Sequence, residues 1–252
     1  MTASASRPAY TQERFWFMSL FNVHARPAIL AASFALALAA CGGASSDEPA
    51  PAKKTEDPAV NADATGALAD MAIGAEDAPV TVIEYASVTC PHCATFNETI
   101  YPQIKAQYVE TGKVRFIFRE FPTAPVELSV VGSMLARCAA DKGGPEAFFM
   151  IVDTLFKTQG RPGDPNSWIY GENPRTALIK IASQAGMDEA AFDACLKRQE
   201  LLDLINENVS GGRDAYDVNS TPSFIINGSL RHFSTAEDMS KALDEALEKA
   251  AE

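Results

Sequence analysis

Two cysteines separated by two residues, Cys90-Pro91-His92-Cys93, lie between a strand pattern and a helix pattern. Before them, residues 79–86 are rich in β-branched and aromatic side chains, which is typical of a buried strand. After them, one apolar helical stripe is formed by residues spaced by four, namely Phe96, Ile100, Ile104 and Tyr108. Pro91 suits the first helical position, where its missing N–H has no intrahelical acceptor. The sequence therefore predicts that a strand delivers the cysteine pair to a helix N-terminus.

This placement predicts a stabilised thiolate on Cys90. Unpaired N–H groups and the positive end of the helix dipole favour an anion there. His92 adds a donor or a positive charge close by. The dipole contributes about 0.3–2 kcal/mol and one pKa unit is about 1.4 kcal/mol, so we expect the pKa of Cys90 to fall by a few units. A stabilised thiolate favours the reduced pair, which makes the disulfide an oxidant.

A cysteine pair can also belong to a zinc site or to a nucleophilic protease site. A structural zinc site needs two further ligands, and the other cysteines and histidines contain no second pair at ligand spacing: Cys41, Cys138, Cys195, His24 and His232. A Cys–His protease site is disfavoured because residues two apart on a helix do not face each other. We therefore expect a redox-active disulfide and neither a metal nor another cofactor.

Residues 1–40 have the layout of a secretory signal peptide. Three arginines, Arg7, Arg14 and Arg26, precede an apolar run at residues 28–40, which Ser33 interrupts. The run is shorter than the ~20 residues of a membrane span. Because the segment before Arg26 is long for such a peptide, Met18 is an alternative start.

Residues 38–42, Leu-Ala-Ala-Cys-Gly, resemble the lipobox of bacterial lipoproteins. The resemblance implies cleavage before Cys41 and lipid attachment to its sulfur, which would tether a periplasmic protein to a membrane. The alternative is an ordinary signal peptide that is followed by a cysteine by chance. Residues 41–70 are poor in large apolar side chains and predict a flexible linker. The folded domain is then expected at residues 71–252, and a net charge of −12 argues against a nucleic-acid partner.

Cys138 and Cys195 remain once these roles are assigned. Each lies on an apolar helical face, the first with Leu135 and the second with Phe192. A bridge between them would close a long loop and stabilise the fold by about 4 kcal/mol in the chain-entropy model. The alternative is two separate buried thiols. Export to an oxidising compartment favours a structural disulfide.

Strand patterns flank a helical block in the second half of the chain. Residues 113–118 and 223–226 read as strands, and Asn227-Gly228 reads as a hairpin turn. Helical patterns, which glycine pairs such as Gly143-Gly144 and Gly211-Gly212 separate, cover residues 128–140, 145–156, 174–185 and 188–206. The sequence thus predicts an α/β domain with a helical insertion at about residues 124–212.

From residue 71 to the C-terminus, the chain resembles the DsbA family of thiol-disulfide oxidoreductases. The full Cys-Pro-His-Cys motif carries the resemblance, together with Glu84 and the segment Thr221-Pro222-Ser223-Phe224. The resemblance implies a thioredoxin fold with an inserted helical subdomain. It implies that Glu84 is the acidic residue beneath the active site and that Pro222 is a cis-proline packed against the cysteine pair.

The resemblance also implies the reaction. The Cys90–Cys93 disulfide would be donated to unfolded or reduced exported polypeptides, with Cys90 as the attacked sulfur and Cys93 as its buried partner. Thr221 and Pro222 would hold the substrate strand, and a DsbB-like membrane quinone reductase would reoxidise the pair. Because disulfide isomerases often carry threonine before the cis-proline, an isomerase or a reductase is an alternative. Another is a non-catalytic envelope lipoprotein that binds unfolded chains or Cu(I).

Overall fold

A computed structural model describes residues 64–252, which contain one mixed five-stranded sheet. Its strands are β1 (Met71–Ile73), β2 (Val80–Ala86), β3 (Val114–Glu120), β4 (Ser223–Ile226) and β5 (Ser229–Arg231). Their order in the sheet is β1-β3-β2-β4-β5. Strands β2 and β3 are parallel and the other three pairings are antiparallel. The central strand is β2, and its continuation leads into the cysteine pair.

The predicted helix after the cysteines is present but is not continuous. It consists of α1 (Pro91–Thr99), α2 (Tyr101–Ile104) and a π-helical turn at Lys105–Val109. Pro102 cannot donate the backbone bond that would continue α1, which explains the interruption at Ile100. On an ideal α-helix, side chains spaced by four residues rotate around the helix axis by about 40° per step. The interruption and the wider π turn offset this rotation. All four residues of the stripe are buried in one core cluster: Phe96, Ile100, Ile104 and Tyr108.

The helical subdomain is inserted between β3 and β4, as the sequence predicts. It contains α3 (Val126–Lys157), α4 (Pro174–Ala182), α5 (Glu189–Cys195) and α6 (Gln199–Tyr216), and α7 (Ala236–Ala250) follows the sheet. Helix α3 is interrupted at Gly144, whose φ of 64° and ψ of −162° are not helical. This interruption lies between the two helical patterns expected for this stretch.

Two helix boundaries differ from the sequence-based prediction. The stretch predicted as one helix at residues 188–206 is divided between α5 and α6. Gly211 and Gly212, which were expected to end a helix, lie inside α6, so the insertion extends to Tyr216. Gly212 is needed there because a Cβ at this position would lie 2.7 Å from Cε1 of Tyr85. The glycine therefore marks a close approach of α6 to β2.

The folded domain begins before the predicted boundary between residues 70 and 71. Residues Gly66–Leu68 form a 3-10 turn, and Ala67 is buried. Arg137 donates hydrogen bonds to the carbonyl oxygens of Ala67 and Ala69 at 2.9 and 3.0 Å. The end of the predicted linker is thus part of the domain. The predicted signal peptide, the lipidation site at Cys41 and the rest of the linker lie outside the described residues.

Within residues 64–252, no helix combines the length and the apolar character that crossing a bilayer requires.

Cys138 and Cys195 form a disulfide in the structure. It joins α3 to the end of α5, and both residues are buried. The bonded cysteines are 57 residues apart in the chain, so the bridge closes a long loop inside the helical subdomain.

The Cys138→Ala/Cys195→Ala variant is expected to have a free energy of unfolding that is about 2–4 kcal/mol lower, because the unfolded chain regains the entropy of the open loop. Urea denaturation of both proteins, with Cys90 and Cys93 reduced and alkylated, measures this difference. The wild-type protein in which Cys138 and Cys195 are reduced as well is the matched control and should resemble the variant. A loss below about 1 kcal/mol would contradict a stabilising role.

Candidate active site

The cysteine pair lies where β2 ends and α1 begins. Cys90 is the N-cap residue of α1, and Pro91 occupies the first turn. Cys90 is 7% exposed and Cys93 is 0% exposed, while His92 is exposed to solvent. Both cysteines carry free thiols. Of the two cysteines, Cys90 is therefore the one nearer to the surface, and Cys93 is fully buried.

The segment before β4 completes the site. The peptide bond between Thr221 and Pro222 is cis. The Cys90 thiol donates to the carbonyl oxygen of Thr221 over a sulfur–oxygen distance of 3.4 Å. Strand β4 pairs directly with β2, which brings together two segments that are more than 130 residues apart in the chain. The structure thus places Thr221 and Pro222 beside the reactive sulfur.

Hydrogen bonds to its sulfur lower the pKa of Cys90 to about 5. The largest contribution comes from the Cys93 side chain; desolvation acts in the opposite direction. The Thr221 side chain and the backbone N–H groups of Cys93 and His92 lower the pKa further. The direction agrees with the sequence-based expectation, but the main cause does not, because His92 acts through its backbone N–H and the partner cysteine dominates.

Cys93 and Glu84 form the buried side of the site. Burial raises the pKa of Cys93 well above its ordinary value, and the hydrogen bond with Cys90 and the charge of Glu84 raise it further. Glu84 is 3% exposed, and its Oε1 has no hydrogen-bond partner among residues 64–252. Burial, followed by the charge of Cys90, raises the pKa of Glu84 to about 8. At neutral pH, Glu84 is therefore mostly protonated beneath the cysteine pair.

Because the pKa of Cys90 is lowered, the stability of the folded, reduced protein depends on pH. The unfolded thiol has the ordinary pKa of 9.0, so the stabilisation of the reduced form is complete above pH 9 and is lost as the pH falls through about 5. At pH 7, it amounts to about 3 kcal/mol. We expect the ultraviolet absorbance of the thiolate to appear with a midpoint near pH 5 in the reduced protein. The signal should be absent from the oxidised protein and from Cys90→Ala, and a midpoint above pH 7 would contradict this assignment.

Hydroxyl groups hold the loop between β2 and α1 against the helical subdomain. Ser87 Oγ lies 2.9 Å from Thr89 Oγ1 and 2.8 Å from Oγ of Ser129, which belongs to α3. Thr89 Oγ1 donates to the carbonyl oxygen of Thr123 at 3.1 Å. The loop that presents Cys90 is therefore fixed from the subdomain side as well as by the sheet.

Gln159, which the sequence analysis did not identify, holds the same loop. It is 5% exposed and follows α3, and its Nε2 donates to the carbonyl oxygens of Val88 at 2.7 Å and Cys90 at 3.1 Å. No pattern near Gln159 in the sequence indicates this contact, because its partners lie about 70 residues earlier. Gln159 therefore acts as a positioning residue for Cys90.

Replacing Gln159 with leucine is expected to raise the pKa of Cys90 and make the disulfide about 3- to 10-fold less oxidising, because two buried carbonyl oxygens lose their donor beside the thiolate. Titration of the thiolate and the redox equilibrium with glutathione measure both effects. Gln184→Leu, on the subdomain surface, is the matched control. A variant that is less stable but keeps the pKa and the potential of the wild type would show that Gln159 is merely structural.

The structure brings together seven of the residues predicted for the site, namely Glu84, Cys90, Pro91, His92, Cys93, Thr221 and Pro222. Cys138 and Cys195 lie in the helical subdomain as a separate disulfide, and Cys41 is outside the described residues. Among residues 64–252, no cluster of three or more histidine, cysteine or carboxylate side chains is positioned to hold a metal ion.

A thioredoxin-type sheet, a cysteine pair at a helix N-terminus and an adjoining cis-proline define the class of thiol-disulfide oxidoreductases. Residues 67–245 match the family model described as thioredoxin. The crystal structure of Wolbachia pipientis alpha-DsbA1 aligns with a TM-score of 0.62 and 27% identity, covering 72% of this chain and 92% of that one. The chain therefore belongs to the thioredoxin family, in its DsbA-like group.

Two curated relatives extend this comparison. A Rickettsia bellii protein, provisionally named a protein-disulfide oxidoreductase, is 31% identical over 181 residues, which cover 72% of this chain and 66% of the relative. Disulfide bond formation protein D of Bacillus subtilis is 25% identical over 69% of this chain and 76% of its own length. The chain thus spans just under two thirds of the Rickettsia protein.

Proposed function

We propose that the protein oxidises thiols in exported polypeptides by donating its Cys90–Cys93 disulfide. The observation that carries the proposal is the contrast between the two sulfurs. Cys90 is the more exposed of the two and has a pKa of about 5, whereas Cys93 is fully buried and has a raised pKa. Stabilising the Cys90 thiolate favours the reduced pair, so the disulfide gives up its oxidising equivalents readily.

In the first step, a substrate thiolate attacks Cys90 Sγ. A substrate–Cys90 disulfide forms, the Cys90–Cys93 bond breaks, and the electron pair leaves on Cys93. Because the pKa of Cys93 is raised, its sulfur takes up a proton. Glu84, whose pKa is raised above its ordinary value mainly by burial, is the buried acid that supplies this proton.

In the second step, another thiolate of the substrate attacks the substrate sulfur of the mixed disulfide. The substrate is released with its own disulfide, and Cys90 leaves as a thiolate, which its pKa of about 5 makes a good leaving group. The protein has gained two electrons and must pass them on. We assign this reoxidation to a membrane quinone reductase of the DsbB type. Thr221 and Pro222, beside Cys90, offer backbone groups for an extended substrate strand.

Export accounts for the proposed substrates. We propose that residues 1–40 are removed, that Cys41 carries the lipid, and that the domain works in the periplasm at a membrane. The mass of the mature protein, isolated from a membrane fraction, tests these points together. A soluble protein that retains residues 1–40 would overturn them.

The redox equilibrium of the Cys90–Cys93 pair with glutathione tests the direction of the reaction. A potential near about −120 mV, together with oxidation of a reduced polypeptide at neutral pH, supports the oxidase. A potential near about −270 mV would overturn it in favour of a reductase. Rearrangement of a scrambled disulfide protein, without net oxidation, would instead show an isomerase.

A further inference from the structure

A groove of about 810 Å³ lies beside α1 and α2. Its walls come from three parts of the fold, which are the segment 97–112, the end of β1 with the following turn at residues 73–75, and the second half of α3 at residues 146–153. No lining residue belongs to β4, β5 or α7. The groove is therefore separate from the segment around Thr221 and Pro222, and its volume lies within the range of clefts that bind drug-sized ligands.

The floor of the groove is apolar and firmly packed. The ring of Tyr101 lies 5.0 Å from that of Phe116, and the ring of Phe149 lies 5.5 Å from that of Phe148, measured between centroids. Met150 is 41% exposed, one of few large apolar side chains so exposed within residues 64–252. Because these rings are held by the core, the floor exists before any ligand arrives.

The lining of the groove has an excess of negative charge. It contains three carboxylates, Glu110, Glu146 and Asp153, and one ammonium group, Lys105. Lys105 lies 3.9 Å from Glu110, and Lys157 lies 2.6 Å from Asp153. Glu146 has no ion-pair partner among residues 64–252. Carboxylates around an apolar floor complement a ligand that carries both apolar and basic side chains.

The near end of the groove is about two helical turns from Cys90 along the chain. Asn97, at its near end, follows Cys90 by about two helical turns, or roughly 10 Å along the axis. An extended polypeptide covers that distance with about three or four residues. The groove continues alongside the helical segment to Val109, which is another twelve residues, or about 18 Å. About five extended residues would occupy it.

We propose that this groove binds a basic, apolar segment of the polypeptide substrate, about three to nine residues from the cysteine that reacts with Cys90. This inference deepens the proposed function and rests on it. A substrate held at this second point stays beside Cys90 while its second thiol completes the exchange. The groove thus selects among polypeptides by the residues around their cysteines.

The test uses peptide dithiols that differ only in an adjoining tail, placed on either side of the cysteines. One tail alternates leucine and lysine, a second leucine and glutamate, and a third glycine and serine. The measured quantity is the second-order rate constant for oxidation of each peptide by the oxidised protein. In one of the two orientations, we expect the leucine–lysine tail to react about tenfold faster than the leucine–glutamate tail.

Matched variants distinguish the effect of the groove on the rates from the effect of the overall charge of the protein. Glu146→Lys should remove most of the preference for lysine, and Met150→Ser should reduce the advantage of either leucine tail over the glycine–serine tail. Glu207→Lys on α6 and Tyr170→Ser, which change exposed residues outside the groove, should leave both effects intact.

The outcomes distinguish the inference from the proposed function. Equal rates for all tails, or an equal loss of preference in Glu207→Lys and Glu146→Lys, would overturn the proposal that the groove binds substrate. The proposed function would stand in that case, because the protein would still oxidise glutathione and the peptides. Binding of a second copy of the chain, seen as a concentration-dependent mass that Met150→Ser abolishes, would also overturn it. A protein that oxidises neither glutathione nor any peptide would overturn the proposed function as well.

Discussion

Cys93→Ala is expected to hold its substrate as a stable mixed disulfide, whereas Cys90→Ala is expected to lose at least about 10³-fold in the rate of disulfide transfer. In Cys93→Ala, the Cys90 thiolate remains, and the protein has no neighbouring thiol to release a captured peptide that carries a single cysteine. In Cys90→Ala, the remaining sulfur is 0% exposed, and its raised pKa keeps it protonated. The two sulfurs are therefore not interchangeable.

Each reduced variant is mixed with a disulfide formed between two single-cysteine peptides, so that the captured peptide carries no second thiol. Mass spectrometry of the intact protein then measures how much peptide is captured. Cys93→Ala should gain the mass of one peptide, and Cys90→Ala should gain none. Both variants keep the Cys138–Cys195 disulfide, and the double variant Cys90→Ala/Cys93→Ala controls for reaction there. Equal trapping by Cys90→Ala and Cys93→Ala would contradict the assignment of Cys90 as the attacking sulfur.

The sequence predicts the parts of this site that are close together in the chain. The cysteine pair, Pro91 and Glu84 lie within ten residues, so the strand and helix patterns alone place them around one junction. Thr221 is more than 130 residues away, and only the resemblance to a known family pointed to it. Gln159 could not be predicted by either route, because its role depends on how the helical subdomain packs on the loop.

Packing also explains where helix prediction failed. Because glycine is a poor helix former, the sequence predicts that a helix ends at Gly212. In the structure, it is a contact residue whose missing side chain admits the ring of Tyr85. Similarly, the sequence indicates two local causes for the low pKa of Cys90, the helix dipole and His92, whereas the largest cause in the structure is the hydrogen bond with Cys93. A sequence pattern carries no information on such contacts.

A buried charge cluster beneath the helical subdomain could likewise not be predicted from sequence patterns. Arg137 in α3 and Glu120 in β3 are both 0% exposed. Arg137 donates from Nε and Nη2 to the two carboxylate oxygens of Glu120 at 2.6 and 2.9 Å, and Asn208 in α6 donates to Glu120 at 2.7 Å. Together with its bonds to the carbonyl oxygens of Ala67 and Ala69, the Arg137 guanidinium connects the start of the domain, the sheet and two helices.

Arg137→Met is expected to lower the free energy of unfolding by about 3–5 kcal/mol, because the Glu120 carboxylate stays buried without its cation. Replacing both residues, as Glu120→Gln/Arg137→Met, should recover at least about 1 kcal/mol of that loss, since the buried charge is then gone. Urea denaturation of the wild type, both single variants and the double variant gives the coupling energy. Full recovery is not expected, because the carbonyl groups of Ala67 and Ala69 still lack their donor. A single variant as stable as the wild type would show that the cluster fixes the arrangement of the subdomain without stabilising it.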